Sequence, residues 1–450
     1  MTPRGSSSAQ PFAARAHSTV PALARAGIPS AEATRARDAV PYPAEMSVPG
    51  ALAGSALWLM ASNLLFAACQ WGTVVALAKL GAPISLGLLG LALAVATPVV
   101  LVTGFALRAY QATDVFGRFA FAEYLNLRLV ANVVAGAIIV AAAVAGGLEP
   151  AAVAIVIPIG AAKIAEATSE TCYGCAQRHD RMRFVAISRV ARGALGLVAL
   201  VAVVGMGGSL AAGAWALAAA WAAFLVAVDL PVASALEPIF VRTRLDRLWS
   251  LARESAPLGG VSGVYAVAQN VPRYFLEVGH GAEAVGYFTA LASVVPALSQ
   301  VATAICHAAA PRLGWTSGDA RRYRVLVLQL LGVAVALGAA LTVGAALGGR
   351  HFLAFAYAAD YAVYRGTFIV IVAAAAFGIV NEVLYFAMLA IRKLHAQLVI
   401  QAFGLALTAL ACAVLVPRYS VTGAAAAAAL AAGAMAVASG WVVFGGRVER

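Results

Sequence analysis

The chain has 450 residues, of which 63% are hydrophobic and only 11% charged. Soluble domains run nearer 25% charged, so a water-soluble globular enzyme is excluded, and repeated apolar runs of about 20 residues identify a polytopic α-helical membrane protein. The net charge of +12 is explained first by membrane orientation and not by nucleic-acid binding.

Residues 1–50 contain no long apolar stretch of the kind a secretory signal needs. Their Arg-rich, Ser-rich, acid-poor composition also fits an organelle transit peptide, and Met46 offers an alternative start. The same Ala and Arg bias runs through the whole chain, which favours a disordered cytoplasmic tail.

Twelve apolar segments follow, with cores near 51–79, 84–107, 125–145, 151–173, 187–206, 210–233, 257–278, 285–310, 325–347, 367–391, 396–416 and 422–444. The fifth is the weakest, because Arg189 and Arg192 sit in its first turns. Basic residues alternate between connections. The tail, the connections around Arg108, Arg118 and Arg128, Arg178 to Arg192, Arg242 to Arg253, Arg312 to Arg324, Arg392 with Lys393, and the end of the chain carry 25 of the 31 Lys and Arg. The intervening connections carry only Lys79, Arg350, Arg365 and Arg418. By the positive-inside rule both termini are expected in the cytoplasm. The outer connections are short except for His351 to Arg365, whose Phe352, Phe355, Tyr357, Tyr361 and Tyr364 suit an interfacial segment.

The polar connection 236–256 divides the helices into an N-terminal lobe, 51–235, and a C-terminal lobe, 257–444, with a short tail at 445–450. Leu91–Pro98 aligns with Thr289–Pro296 and places a mid-helix proline in the second helix of each half. Both halves start on the same side, so the repeat is parallel.

Three intramembrane groups stand out. Arg273, with Asn270 and Pro272, lies in an apolar run about 24 Å from its inner end, in the outer half of the bilayer. An ionisable residue at such depth marks a functional site by default, although snorkelling beside Tyr274 is an alternative. A guanidinium also suits bidentate contact with phosphate oxygens. Lys163, Glu166 and Glu170 share one face of the fourth helix, either as a self-neutralising group or as part of a site. Glu382, beside Asn381 in the tenth helix, is a candidate proton or cation site or an ion-pair partner. Cys172, Cys175 and His179 could share a helix face, but one CxxC without a second pair is a weak metal signal, and neither a metal centre nor a cofactor is expected. No G-x-x-x-x-G-K-[ST] motif and no Ser/His/Asp pattern is present.

Several stretches carry a family likeness. They include Leu107-Arg108-Ala109-Tyr110-Gln111-Ala112-Thr113-Asp114, Tyr124 to Arg128, Tyr173-Gly174-Cys175-Ala176-Gln177, Asn270 to Tyr274, Gly286 to Leu291, Pro311-Arg312-Leu313, Tyr357 to Ala362, Pro417-Arg418-Tyr419 and Gly423 to Ala425. In order and spacing, from about 50 to 445, the chain resembles the Wzx-type lipopolysaccharide and polysaccharide flippases. Their superfamily also holds multidrug and toxin extrusion transporters and the lipid II flippase. The resemblance implies two six-helix lobes around a cavity in a bacterial inner membrane. It implies a non-enzymatic exporter that moves an undecaprenyl-diphosphate-linked oligosaccharide outward for surface polysaccharide biosynthesis. Arg273, Asn270 and Lys163 would then meet the head group, with Glu166 and Glu382 also on the path. Arg108, Asp114, Arg128 and Gln177 would latch the inner side closed. Membrane lipids, polysaccharide polymerase and glycosyltransferases are the expected partners. A cation-coupled drug exporter on the same scaffold is the nearest rival. A membrane polymerase or ligase is disfavoured by the short outer loops, and a non-transporting scaffold by the intramembrane charges.

Overall fold

The computed structural model describes residues 49–114, 117–239, 241–316 and 319–445. The predicted tail, 1–50, lies almost wholly outside these residues, as does 446–450. The chain divides into Met1–Ala56 and Leu57–Arg450; of the first unit only 49–56 is described, as helix. Everything below concerns the second unit.

Among the described residues there are helices and turns only. They are α1 (Pro49–Leu80), α2 (Pro83–Thr103), α3 (Leu107–Thr113), α4 (Phe121–Ala145), α5 (Pro150–Arg178), α6 (Met182–Gly205) and α7 (Leu210–Phe224). A π-turn, Leu225–Asp229, leads into α8 (Leu230–Leu236). Then come α9 (Leu245–Ala292), α10 (Val295–Thr316) and α11 (Ala320–Ala356). A 3-10 turn, Ala359–Tyr364, precedes α12 (Arg365–Ala390) and α13 (Leu394–Gly445). The helix starts follow local rules. Pro83 and Pro150 occupy first-turn positions, where a missing N–H costs nothing. Ser209 accepts from the Ala212 amide at 3.2 Å. The Asp319 carboxylate accepts from the Arg321 and Arg322 amides, and these bonds hold its pKa below the usual carboxylate range.

Among the described residues, ten helical stretches are long and apolar enough to cross a membrane. The protein is a multi-pass membrane protein. Outward-facing valines on α4, α6 and α13, such as Val133, Val198 and Val437, are more than half exposed, as a lipid-facing surface requires. Two of the ten stretches double back on themselves. At Gly281 the backbone takes φ 75°, ψ −179°, open to glycine at little cost. Beyond it Thr289 returns to within 3.4 Å of Arg273, although 16 residues of unbroken helix would separate them by about 24 Å. At Ser420 the φ is 47°, a strained value for a residue with a side chain. There a Cβ on Gly423 would stand only 2.2 Å from the Leu415 carbonyl oxygen, so the chain has turned back.

Two predicted connections are more ordered than their sequence suggests. Helix α9 starts at Leu245, inside the predicted connection 236–256. Leu248, Leu251 and Ala252 recur at helical spacing and pack against Phe105, Leu107, Phe119 and Tyr124. The predicted interfacial segment, His351 to Arg365, is only partly superficial. Phe355 is exposed, but Tyr357 and Tyr361 are buried. Tyr357 is held because its hydroxyl donates to the Ala290 carbonyl at 2.8 Å and accepts from Trp71 Nε1 at 3.0 Å.

The largest core cluster runs through both halves of the chain. Its spine is α2 against α9. A Cβ on Gly87 would stand 1.7 Å from the Ala282 carbonyl oxygen, and one on Gly259 would stand 2.6 Å from Phe105 Cα. Glycine at both positions lets the two helices touch backbone to backbone near each end of the seam.

Candidate functional site

Arg273 lies on α9 about 12 Å before the turn at Gly281. Its Nη1 donates to Asn270 Oδ1 at 2.8 Å and its Nε to Thr289 Oγ1 at 3.4 Å. The guanidinium also sits 5.7 Å from the Phe288 ring centroid. Asn270 is buried, and its amide nitrogen donates to the Ala266 carbonyl at 2.8 Å. The carbonyl that Pro272 leaves without its helical N–H is that of Ala268, four residues back. Among the described residues no carboxylate lies within salt-bridge distance of Arg273. Thus the structure brings Arg273 and Asn270 together and leaves the cation polar-solvated but not neutralised.

The charges of the first half behave in the opposite way. Lys163 Nζ pairs with Glu166 at 2.8 Å and lies 5.8 Å from the Trp221 ring centroid. Glu166 also meets Arg192 at 3.3 Å, and Arg192 reaches Glu170 at 3.5 Å. Glu170 pairs with Arg108 and lies 3.9 Å from Arg189. Arg192 has no exposed side-chain surface, yet its Nε and Nη1 have no hydrogen-bond partner. Beneath this group Asp229 takes hydrogen bonds from Ser188 and Tyr173. The result is a compact network on α3, α5 and α6 in which Glu166 and Glu170 each face two or more cations.

Sequence reasoning missed the Arg189 and Arg192 side of this network. The sequence places them in the first turns of the fifth segment and among the orientation-setting basic residues; the structure adds their pairing to Glu166 and Glu170. The signal was present: Glu166 and Glu170 at i, i+4 and Arg189 and Arg192 at i, i+3 form complementary stripes on adjacent helices.

No hydrogen bond or ion pair among the described residues joins Arg273 to Lys163 or to Glu382. Glu382 accepts from Thr303 Oγ1 at 3.2 Å and has no cation within salt-bridge distance among the described residues. Neighbouring Asn381 donates to the Ala432 carbonyl at 2.9 Å.

The four residues expected at an inner latch find partners within the first half. Arg108 pairs with Glu170. Arg128 is buried and donates to Thr171 Oγ1 and the Gly104 carbonyl. Asp114 accepts from the Arg118 and Phe119 amides and from the Tyr124 hydroxyl. Gln177 offers its backbone carbonyl to the Asp180 amide. Contacts across the seam at the arginine-rich end come from other residues. Glu254 on α9 accepts from the Tyr110 hydroxyl at 2.6 Å and from Arg118 at 2.8 Å. Arg247 pairs with Glu123 at 2.8 Å. These pairs were not legible, because the segment holding Arg247 and Glu254 read as a polar connection.

Comparison with known proteins matches this geometry to a family and a fold. Residues 52–316, more than half of the chain, match the family model described as "Polysaccharide biosynthesis protein". No curated protein sequence matches the chain. Among solved structures, the lipid II flippase MurJ in an inward closed conformation superposes with a TM-score of 0.67 at 10% identity, covering 87% of this chain and 86% of that one. A eukaryotic MATE transporter, AtDTX14, gives 0.61 at 13% identity, covering 89% and 96%. A multidrug resistance MATE family transporter of the MOP superfamily, in an inward-facing conformation, gives 0.56 at 15% identity, covering 87% and 93%. These likenesses establish a shared fold. By the extent of the sequence match, the chain belongs to the polysaccharide biosynthesis protein family.

Proposed function

We propose that the protein is a flippase that exports an undecaprenyl-diphosphate-linked oligosaccharide across a bacterial inner membrane, with both termini in the cytoplasm. The family match and the fold shared with a lipid II flippase support the export of a lipid-linked head group. One observation carries the choice of an anionic substrate: Arg273 is a cation within the helical layer, cradled by Asn270 and Thr289 and not neutralised, while Lys163, Arg108 and Arg192 are all paired. A diphosphate is the anion such a guanidinium holds through two parallel hydrogen bonds.

A sugar diphosphate cannot cross hydrocarbon unaided, while its polyprenyl tail has no need to leave it. A seam between two helical lobes that opens alternately to either side handles both parts. Arg273 binds the diphosphate, and Lys163 joins it if the head group draws it from Glu166. The Glu254 and Arg247 pairs hold the cytoplasmic side closed and separate when the lobes rock. Glycosyltransferases build the substrate and a polysaccharide polymerase consumes it. The test is polysaccharide export in cells carrying Arg273→Ala or Arg273→Lys, with membrane insertion checked by immunoblot. Both substitutions should abolish or cut export; normal export with either removes Arg273 from the mechanism.

A cation-coupled drug exporter on the same scaffold is the second reading, favoured by Glu382, a carboxylate without a cationic partner. Drug accumulation in cells separates the two. The flippase reading predicts no change in drug accumulation when the gene is deleted.

A further inference from the structure

Where α5 leaves the helical layer, Cys175 and His179 stand four residues apart, on one face. Sequence alone grouped them with Cys172, giving a weak pattern. The structure replaces Cys172 with a residue 62 positions away from Cys175. The Oε1 of Glu237, just past the end of α8, lies 3.7 Å from Cys175 Sγ and 3.8 Å from His179 Nδ1. All three donor atoms lie within 4.8 Å of one another. We propose that Cys175, His179 and Glu237 form a binding site for a borderline divalent transition-metal ion of the zinc class.

The donor set supports this class. Bonds of about 2.0–2.3 Å from zinc to nitrogen, oxygen and sulfur place ligands of a tetrahedral site roughly 3.5 Å apart, and two of the three edges here are already close to that. Thiolate, imidazole and carboxylate together select zinc-like ions over calcium or magnesium, which take oxygen ligands. Cys175 is buried and His179 is half-exposed, so the site has a closed inner side and a path from water. A metal at His179 Nδ1 replaces that atom's 3.0 Å contact with the Cys175 carbonyl, and Nε2 then carries the ring N–H.

The charges around the site also call for a cation. Arg178 reaches Glu237 at 3.0 Å and Asp114 at 3.8 Å, one guanidinium against two carboxylates. When a dication binds, the Cys175 thiol proton leaves to water and the thiolate and Glu237 neutralise the ion. Arg178 is then left to Asp114, and no charge is unpaired. The other oxygen of Glu237 keeps its bond from the Phe121 amide at 3.1 Å. A bound ion therefore ties the start of the connection between the lobes, at Glu237, to the end of α5, while the Phe121 amide holds the same carboxylate to the start of α4.

Cobalt(II) is the probe, added to the purified full-length chain in lipid nanodiscs. The proposal predicts saturable binding of one ion per chain with a thiolate-to-cobalt charge-transfer band, displaced by zinc. Cys172→Ser should retain the band and Cys175→Ser should lose it. His179→Ala, a change at an exposed position, should weaken binding by well over an order of magnitude while the chain still elutes as folded protein in size-exclusion chromatography. Absence of the band in the unaltered chain, its persistence in Cys175→Ser, or undiminished affinity in His179→Ala overturns the assignment.

Discussion

The hydroxyl of Tyr274 on α9 donates a hydrogen bond to the backbone carbonyl of Ala94 on α2. Ala94 lies four residues before Pro98, which has no N–H to complete the helical bond to that carbonyl. A tyrosine from one half of the chain thus satisfies the acceptor that a proline in the other half leaves open. The bond sits one residue from Arg273, so the helical seam and the candidate head-group site are mechanically one unit.

Tyr274→Phe should destabilise the protein by about 1–3 kcal/mol, the cost of a buried carbonyl left without a donor. The diagnostic is a double-mutant cycle with Pro98→Ala. Alanine restores an N–H for the Ala94 carbonyl, so Tyr274→Phe should cost much less in that background. Thermal unfolding in detergent measures the cycle, and equal costs in both backgrounds would disprove the pairing.

The network on α5 and α6 predicts unequal consequences for its members. Glu166→Gln leaves the fully buried Arg192 short of a counter-charge and should cost roughly 3–5 kcal/mol, reducing the yield of folded protein. Adding Arg192→Met to Glu166→Gln should recover only part of that loss, because an apolar side chain of similar length needs no partner but Lys163 stays without its Glu166 carboxylate. Lys163→Met alone should be milder, since Glu166 keeps Arg192. Folded yield by fluorescence-detected chromatography ranks the three.

The close approach of α2 and α9 predicts that small wedges act at a distance. Gly87→Val introduces side-chain atoms where even a Cβ would overlap the Ala282 carbonyl, and the backbones must separate. Gly259→Val does the same against Phe105 at the other end. Overpacking of this kind costs about 1–3 kcal/mol or more. Both variants should lower thermal stability, and Gly259→Val should also weaken the nearby Glu254 and Arg247 pairs.

Much of the fold was legible because membrane helices announce themselves by apolar length. The paired position of Asn270 and Arg273 was legible as well, since residues three apart share a helix face. Long-range partners were not. Nothing local to Glu237 points to Cys175, nothing near Glu254 points to Tyr110, and the burial of Tyr357 depends on a carbonyl at Ala290 and on Trp71. Arg189 and Arg192 read correctly as residues of the first turns of their helix, but their pairing with Glu166 and Glu170 is long-range in the same way.

The central claim is that Arg273 is an unneutralised cation reserved for a diphosphate. Its most direct measurement is equilibrium binding of an undecaprenyl-diphosphate-linked oligosaccharide to the purified chain and to Arg273→Lys and Arg273→Ala. A charged hydrogen-bonded contact is worth about 1.5–3 kcal/mol, so Arg273→Ala should weaken binding roughly 10- to 100-fold. Arg273→Lys should recover only part of the loss, because an ammonium keeps the charge without the bidentate fork. Equal affinity in all three proteins would contradict the claim.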